Sequence, residues 1–219
     1  MNAKLNINRN NINLWLKKIV LCIFSLFCLG IASAFTMKAE LGADPITVFY
    51  EGLSETLKIN VGLMVNIINI TLMLCVFFVN KKYISIGTLL YVVILGRFVN
   101  IGVFMYDLMN ISGDFLPRFI VSIIGCFIAF IGLGVYMTID IGIDPWTALA
   151  KIVSEKSNKS FRLTKTVLDL ITLIIGMIFG GKFGIITIFC ALVGGPIMQK
   201  TAEIIDKLLK NVLKLESKN

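Results

Sequence analysis

The chain contains no histidine, only four prolines and only 16% charged residues. Without histidine the commonest general base and metal ligand near neutral pH is missing. No H-E-x-x-H zinc site and no histidine-assisted serine or cysteine nucleophile can be assembled. The sequence therefore predicts a protein that is not an enzyme, with no catalytic residues, no metal site and no cofactor. Five cysteines are present, Cys22, Cys28, Cys75, Cys126 and Cys190, all inside apolar runs and none in a C-x-x-C pair. They read as small buried hydrophobes, not as disulfide or metal ligands. No G-x-x-x-x-G-K-[ST] loop supplies an energising nucleotide site.

What the chain has instead is apolar length. Hydrophobic residues make up 57% of it, and the charged share is well below the quarter or so of a soluble domain. Uncharged stretches such as Ile19 to Met37, Val61 to Val79 and Phe119 to Ile139 are long enough to cross a bilayer. The net charge of +8 fits basic loops that orient a membrane protein. No basic stripe interleaved with aromatics points to nucleic acid. The expected partners are the lipid bilayer and an unknown small solute, with a homo-oligomer or a membrane partner left open.

The chain is organised around a heptapeptide that occurs twice. Leu41-Gly42-Ala43-Asp44-Pro45-Ile46-Thr47 returns one hundred residues later as Ile141-Gly142-Ile143-Asp144-Pro145-Trp146-Thr147. At the same offset Ser54 matches Ser154, Glu55 matches Glu155 and Lys82 matches Lys182. A period this long is half a fold. We expect one membrane domain over residues 1–219, with repeat 1 at about 15–110 and repeat 2 at about 115–210. The basic start and the Ala32-Ser33-Ala34 segment imitate a secretory signal. The same segment is copied before the second motif, so it reads as a retained first span.

Six spans follow: Ile19 to Met37, Val61 to Val79, Tyr83 to about Tyr106, Phe119 to Ile139, about Leu163 to Gly181, and Phe183 to about Met198. The fold class is all-α, six transmembrane helices as two inverted-topology repeats of three spans. Short helices follow spans 1 and 4, and a C-terminal amphipathic helix carries Ile204, Ile205, Leu208, Leu209, Val212 and Leu213 on one face. Inversion follows from the odd number of spans per half. Most lysines and arginines fall in cytoplasmic segments if both termini are cytoplasmic, leaving Lys38, Lys58, Arg97, Arg118 and Lys182 outside. On this topology Asp44 and Asp144 lie toward opposite faces.

In Gly-x-Asp-Pro-x-Thr, glycine permits a sharp turn, aspartate is a favoured N-cap and proline suits the first helical position. Gly42, Asp44, Pro45, Thr47, Gly142, Asp144, Pro145 and Thr147 thus form a structural motif that starts a helix too short to span. The helix lies on the surface or re-enters the bundle, and its start either merely turns the chain or lines a pathway. Polar groups inside spans supply the pathway candidates: Asn66 and Asn69 on one helical face, Arg97 and Asn100, Asp169, and Gln199 as the repeat mate of Asn100. Each has a plainer reading. Asp169 can pair with Lys165 one turn away, Arg97 can snorkel to the outer interface, and the asparagines can bridge helices. Gly194-Gly195-Pro196 should kink or break span 6.

The turns Gly42 to Pro45 and Gly142 to Pro145, with the late Gly195-Pro196, resemble those of bacterial YczE/YitT-type integral membrane proteins over residues 15 to 200 or so. Aspartate before each proline, and Arg97, depart from that pattern. The resemblance implies a multi-pass plasma-membrane protein, transport-related, and supplies neither catalytic residues nor a substrate. The function expected is a small-solute permease or exporter with its site between the repeats. A non-transporting accessory or scaffold protein, or the substrate-binding subunit of a multi-component importer, is the alternative.

Overall fold

The computed structural model describes residues 9–111 and 113–216, so the basic residue Lys4 and the C-terminal Lys218 lie outside the described residues. Among the described residues the chain is helical, with a single 3-10 turn at Lys81–Tyr83. The helices are α1 (Arg9–Ala39), α2 (Pro45–Leu57), α3 (Val61–Val79), α4 (Ile86–Leu108), α5 (Phe115–Ile139), α6 (Pro145–Ser157), α7 (Phe161–Ile178) and α8 (Ile185–Glu216). The first four and the last four match in order. Helices α2 and α6 are both 13 residues long and start one hundred residues apart.

Among the described residues five stretches are long and apolar enough to cross a membrane: Trp15–Ala39, Val61–Val79, Ile86–Leu108, Phe115–Ile139 and Ile185–Leu208. Helix α7, expected as the fifth of six spans, does not join them. It has 18 residues and carries Arg162, Lys165 and Asp169. The outer surface carries large apolar side chains along all of the long helices, among them Val20, Phe78, Phe104, Ile178 and Leu192. A surface this apolar suits lipid, not water.

Helices α1 and α5 form the centre, packing along most of their length, with α4 against α1 and α8 against α5. Small residues make this possible. Gly30 lies against Phe98 and Val99 of α4, Ala34 meets Gly102, and Gly125 seats on Ala32, Phe35 and Thr36 of α1. In lipid, where no hydrophobic gain drives helices together, such close backbone approach supplies much of the association energy. The first helix is thus an integral part of the bundle.

The short helices cross between halves. Helix α2 packs on α7, and α6 packs on both α3 and α7. At one end of the bundle Arg118 of α5 pairs with Glu40 at 3.3 Å and donates to Ala39 O at 2.7 Å. Lys38 meets Asp107 there at 2.8 Å. At another place Lys82 bridges to Glu155 at 3.2 Å. Exposed pairs such as these contribute little each, but they show which helix ends are neighbours.

The tail differs from expectation. The segment after Thr201 is not a separate helix: α8 runs unbroken from Ile185 to Glu216 with Pro196 inside it. Gly194-Gly195-Pro196 therefore does not break the helix. Contact with α5 explains the continuity. Gly134 packs on Met198 O and Thr201, and Thr138 donates to Ala202 O at 3.4 Å. Ile205 packs against the main core, while Ile204 and Leu208 are exposed. The side chains of Leu209, Val212 and Leu213 lie outside the described residues.

Candidate functional site

Each copy of the motif folds in the same way. Asp44 caps α2 by accepting from Thr47 N at 3.2 Å, and Asp144 caps α6 by accepting from Thr147 N at 2.9 Å. Pro45 and Pro145 hold the first helical positions. At the far ends Lys58 and Asn158 both adopt left-handed backbone, with Ser54 and Ser154 bonding the carbonyls of Ile59 and Lys159 at 2.6 and 2.7 Å. The sequence signals for these helices are local, which is why they were legible.

The turn before each cap does a second job. Leu41 O accepts from Ile186 N at 3.1 Å, and Ile141 O accepts from Gly87 N at 3.0 Å. Thr88 adds a bond to Ile143 O at 2.8 Å. Each motif of one half therefore satisfies an orphan N–H at the start of the last helix of the other half. Gly42 has φ +97, and a side chain there would lie 2.5 Å from Thr187 Oγ1. A side chain on Gly142 would lie 2.2 Å from Ser85 Oγ and 2.8 Å from Thr88 N. Glycine is needed at 42 for backbone conformation and at 142 for space.

Helices α2 and α6 re-enter the bundle. Thr47, Val48 and Tyr50 are buried, as are Asp144, Pro145, Trp146 and Ala148. Toward its other end α2 reaches the close of α7, where Thr56 donates to Phe179 O at 2.5 Å. Helix α6 ends at the turn after α3, beside Lys82 and Tyr83. Both helices are buried near their starts and exposed at their ends.

The starts meet on a buried polar cluster. Trp146 Nε1 donates to Tyr50 Oη at 2.8 Å. The Tyr50 hydroxyl and the Asn69 side chain exchange bonds at 2.9 and 3.2 Å, and Asn69 Nδ2 also donates to Val65 O at 2.8 Å. Asn69 is fully buried. Phe49 stands edge-on to Trp146 at 5.7 Å, and Tyr91 lies 5.6 Å from Tyr136. The Tyr136 hydroxyl is buried with no hydrogen-bond partner, alone in that respect among the described residues. Asp44 and Asp144 both act electrostatically on Tyr50, Tyr91 and Asp169. The expectation that topology keeps these two aspartates on opposite faces is thus corrected. Each half-helix folds back into the interior, so both caps are brought to the same central residues.

Of the other candidates, Asp169 pairs with Lys165 one turn away on α7. Asn66 Oδ1 accepts from Gly96 N at 3.0 Å, and Asn100 Oδ1 accepts from Gly62 N at 3.1 Å. These asparagines bridge α3 and α4 and take no part in the cluster. Gln199 bonds Glu203 at 3.0 Å on the surface of α8. Arg97 is exposed halfway along α4 and has no ion-pair partner among the described residues. Asn69 is the one span candidate that joins the motif at the centre. Sequence reasoning missed Tyr50, Tyr91, Tyr136 and Trp146. The available signal was a tyrosine inside an apolar run, whose hydroxyl needs a partner once buried.

A cavity of 310 Å³ opens beside α2 and is lined by Met37, Glu40, Glu51, Asn60, Val103 and Lys182 among others. Glu51 is nearly buried and accepts from Lys182 N at 3.0 Å. Burial pushes its carboxyl up to about 7 from an ordinary 4.5, against the pull of the Lys182 N–H and ammonium, with Glu55 and Glu40 adding to the rise. A carboxyl raised on folding favours the fold below its unfolded value, and that contribution is lost as pH climbs toward 7. The melting temperature of the wild type in detergent should fall from pH 5 to pH 8. Glu51→Gln should flatten that fall and be the more stable protein at pH 8. A wild-type slope that survives the substitution unchanged would place the titration elsewhere.

Among the described residues no group of three His, Cys, Asp or Glu side chains is placed to hold a metal. The helices and their apolar exterior define the class: a multi-pass helical membrane protein. The chain belongs to the family of unknown function DUF6198, whose model matches residues 16–203. It is 25% identical over 192 residues to an uncharacterized protein of Haemophilus influenzae, covering 88% of this chain and 86% of the relative. It is 23% identical over 183 residues to the uncharacterized protein YyaS of Bacillus subtilis, covering 83% and 90%. With the uncharacterized membrane protein YczE of Bacillus subtilis it shares 24% identity over 174 residues, covering 80% and 79%. This agrees with a YczE-type family. No solved structure matches the chain.

Proposed function

We propose that the protein is a small-solute permease or exporter of the cell membrane, with its site between two inverted halves of three spans. The observation that carries this reading is the pair of half-length helices whose capped starts face one buried polar cluster from opposite halves. Interrupted helices that meet at mid-depth are how many secondary transporters place a solute site. Inversion is supported by neighbouring ends: the close of α1 sits beside the start of α5 through Arg118, Ala39 and Glu40. Counting α7 as a sixth span is supported by its Lys165–Asp169 pair, which lowers the cost of carrying both charges at depth. Both termini are cytoplasmic by the distribution of lysine and arginine.

Two measurements test the reading. Single cysteines at Asn69 and Asp169, in a cysteine-free background, should react with small aqueous thiol reagents. If both stay unreactive in every condition, no path passes there. Cysteines at the mated turns Lys58 and Asn158 should label from opposite sides with a membrane-impermeant reagent. Labelling from one side removes the inverted plan.

One observation favours the accessory reading. Arg97 presents a charge with no ion-pair partner among the described residues, on an exposed face in the middle of α4. An arginine at bilayer depth costs about 3 kcal/mol even by insertion scales, which a partner's acidic group offsets. On this reading Arg97→Leu dissociates a co-purifying membrane protein. Unchanged composition of the purified material counts against it.

A further inference from the structure

The two half-helix starts raise a question of charge. A bare helix N-terminus carries a positive pole and recruits anions. Here each pole is already met by its own aspartate, through one carboxylate oxygen, Oδ1, in each case. Among the described residues no lysine or arginine pairs with Asp44 or Asp144. The nearby Lys165 is committed to Asp169. The local balance is therefore negative.

The surroundings are aromatic. Tyr50, Tyr91, Tyr136 and Trp146 belong to one buried cluster with Phe49 packed against it; within it Trp146 meets Tyr50 and Phe49, and Tyr91 meets Tyr136. Aromatic faces carry negative quadrupole charge and attract cations, most strongly where water is excluded. The Tyr136 hydroxyl is buried without a partner, so one acceptor stands ready for an N–H donor. A bare metal ion fits poorly, because the described residues hold no cluster of metal-ligating side chains. An anion would meet two carboxylates.

Resting on the permease reading, we propose that this central site takes a small protonated amine. The ammonium lies among Tyr50, Tyr91, Tyr136 and Trp146, and its charge is balanced by Asp44 and Asp144. The Tyr136 oxygen accepts one of its N–H groups.

The protein supplies its own probe. It has two tryptophans, and Trp15 is exposed on α1, so Trp15→Phe leaves Trp146 as the sole reporter. The full chain in lipid nanodiscs is titrated with methylammonium chloride at constant ionic strength. Trp146 fluorescence should change saturably. Sodium chloride and sodium acetate should give no saturable change. Asp144→Asn and Asp44→Asn should each weaken methylammonium at least tenfold, and Tyr136→Phe several-fold. If one aspartate variant fails to fold, the other and Tyr136→Phe carry the test. Saturation by acetate, an equal response to sodium, or no response to methylammonium overturns the proposal. Saturable binding without methylammonium flux in proteoliposomes supports it and sinks the permease reading instead. Reactive cysteines at positions 69 and 169 with no methylammonium response do the reverse.

Discussion

Gly96→Leu should abolish a folded protein, while the same change at Gly195 in α8, Gly195→Leu, should leave the fold standing. A side chain on Gly96 would lie 2.0 Å from Gly62 O and 2.4 Å from Asn66 Oδ1. Gly62 presents the reciprocal clash, at 2.1 Å from Gly96 O. Both obstacles belong to helix backbone or to an asparagine already bonded across the seam, so neither can move cheaply. Overpacking costs about 1–3 kcal/mol where neighbours can adjust, and here α3 and α4 would have to part. Gly195 has open space around it, and leucine is a better helix former by roughly 1 kcal/mol. Yield and monodispersity in detergent, followed by melting temperature, check the contrast. Equal loss at both positions would show that α8 is packed as tightly as α4.

The contrast has a consequence for mechanism. The α3–α4 seam is closed by Gly62, Asn66, Gly96 and Asn100. Among the described residues no hydrogen bond joins α7 to α8. The two halves thus differ at this seam: α3 and α4 are bonded across it, and α7 and α8 share no such bond among the described residues. Under the permease reading the seams exchange states during transport. Gly195→Leu, neutral for folding, would then slow turnover.

How much was legible follows from the range of each interaction. The short helices were legible because caps are local: Asp44 and Asp144 reach three residues on, and proline fixes its own φ. The Lys165–Asp169 pair was legible as one alternative because four residues make one helical turn. The joints between halves were not. Leu41 O to Ile186 N joins residues far apart in sequence, and nothing local in either segment announces the other. Inversion alone suggested that the two aspartates lie far apart. It could not register that each half-helix turns inward. Arg97 was a site candidate on residue type, yet rotation about the α4 axis decides whether it faces the core or lipid, and packing of Gly96 on Gly62 sets that rotation. The tail read as a separate amphipathic helix because its pattern is sound. Contact with α5 at Gly134 and Thr138 makes it part of α8.

The central cluster should behave as a unit, and removing one oxygen should reveal it. Tyr50→Phe leaves Trp146 Nε1 without its acceptor and Asn69 Oδ1 without its donor. A buried polar group stranded this way costs about 1–3 kcal/mol, though interhelical bonds in lipid often measure nearer 0.6 kcal/mol because alternative partners exist. Here the alternatives are few: Asn69 is fully buried and Trp146 nearly so. The larger figure should win, giving a loss of about 2 kcal/mol or more for Tyr50→Phe. Trp146→Phe removes the stranded donor, so in the double variant the cost should fall short of the sum by about 1 kcal/mol. The cycle is read from unfolding in mixed micelles with a denaturing detergent. Costs that add to within about 0.5 kcal/mol would mean that the tyrosine and the indole do not share a bond. The half-helix starts would then be neighbours without being coupled, and a solute could not be felt by both halves through them.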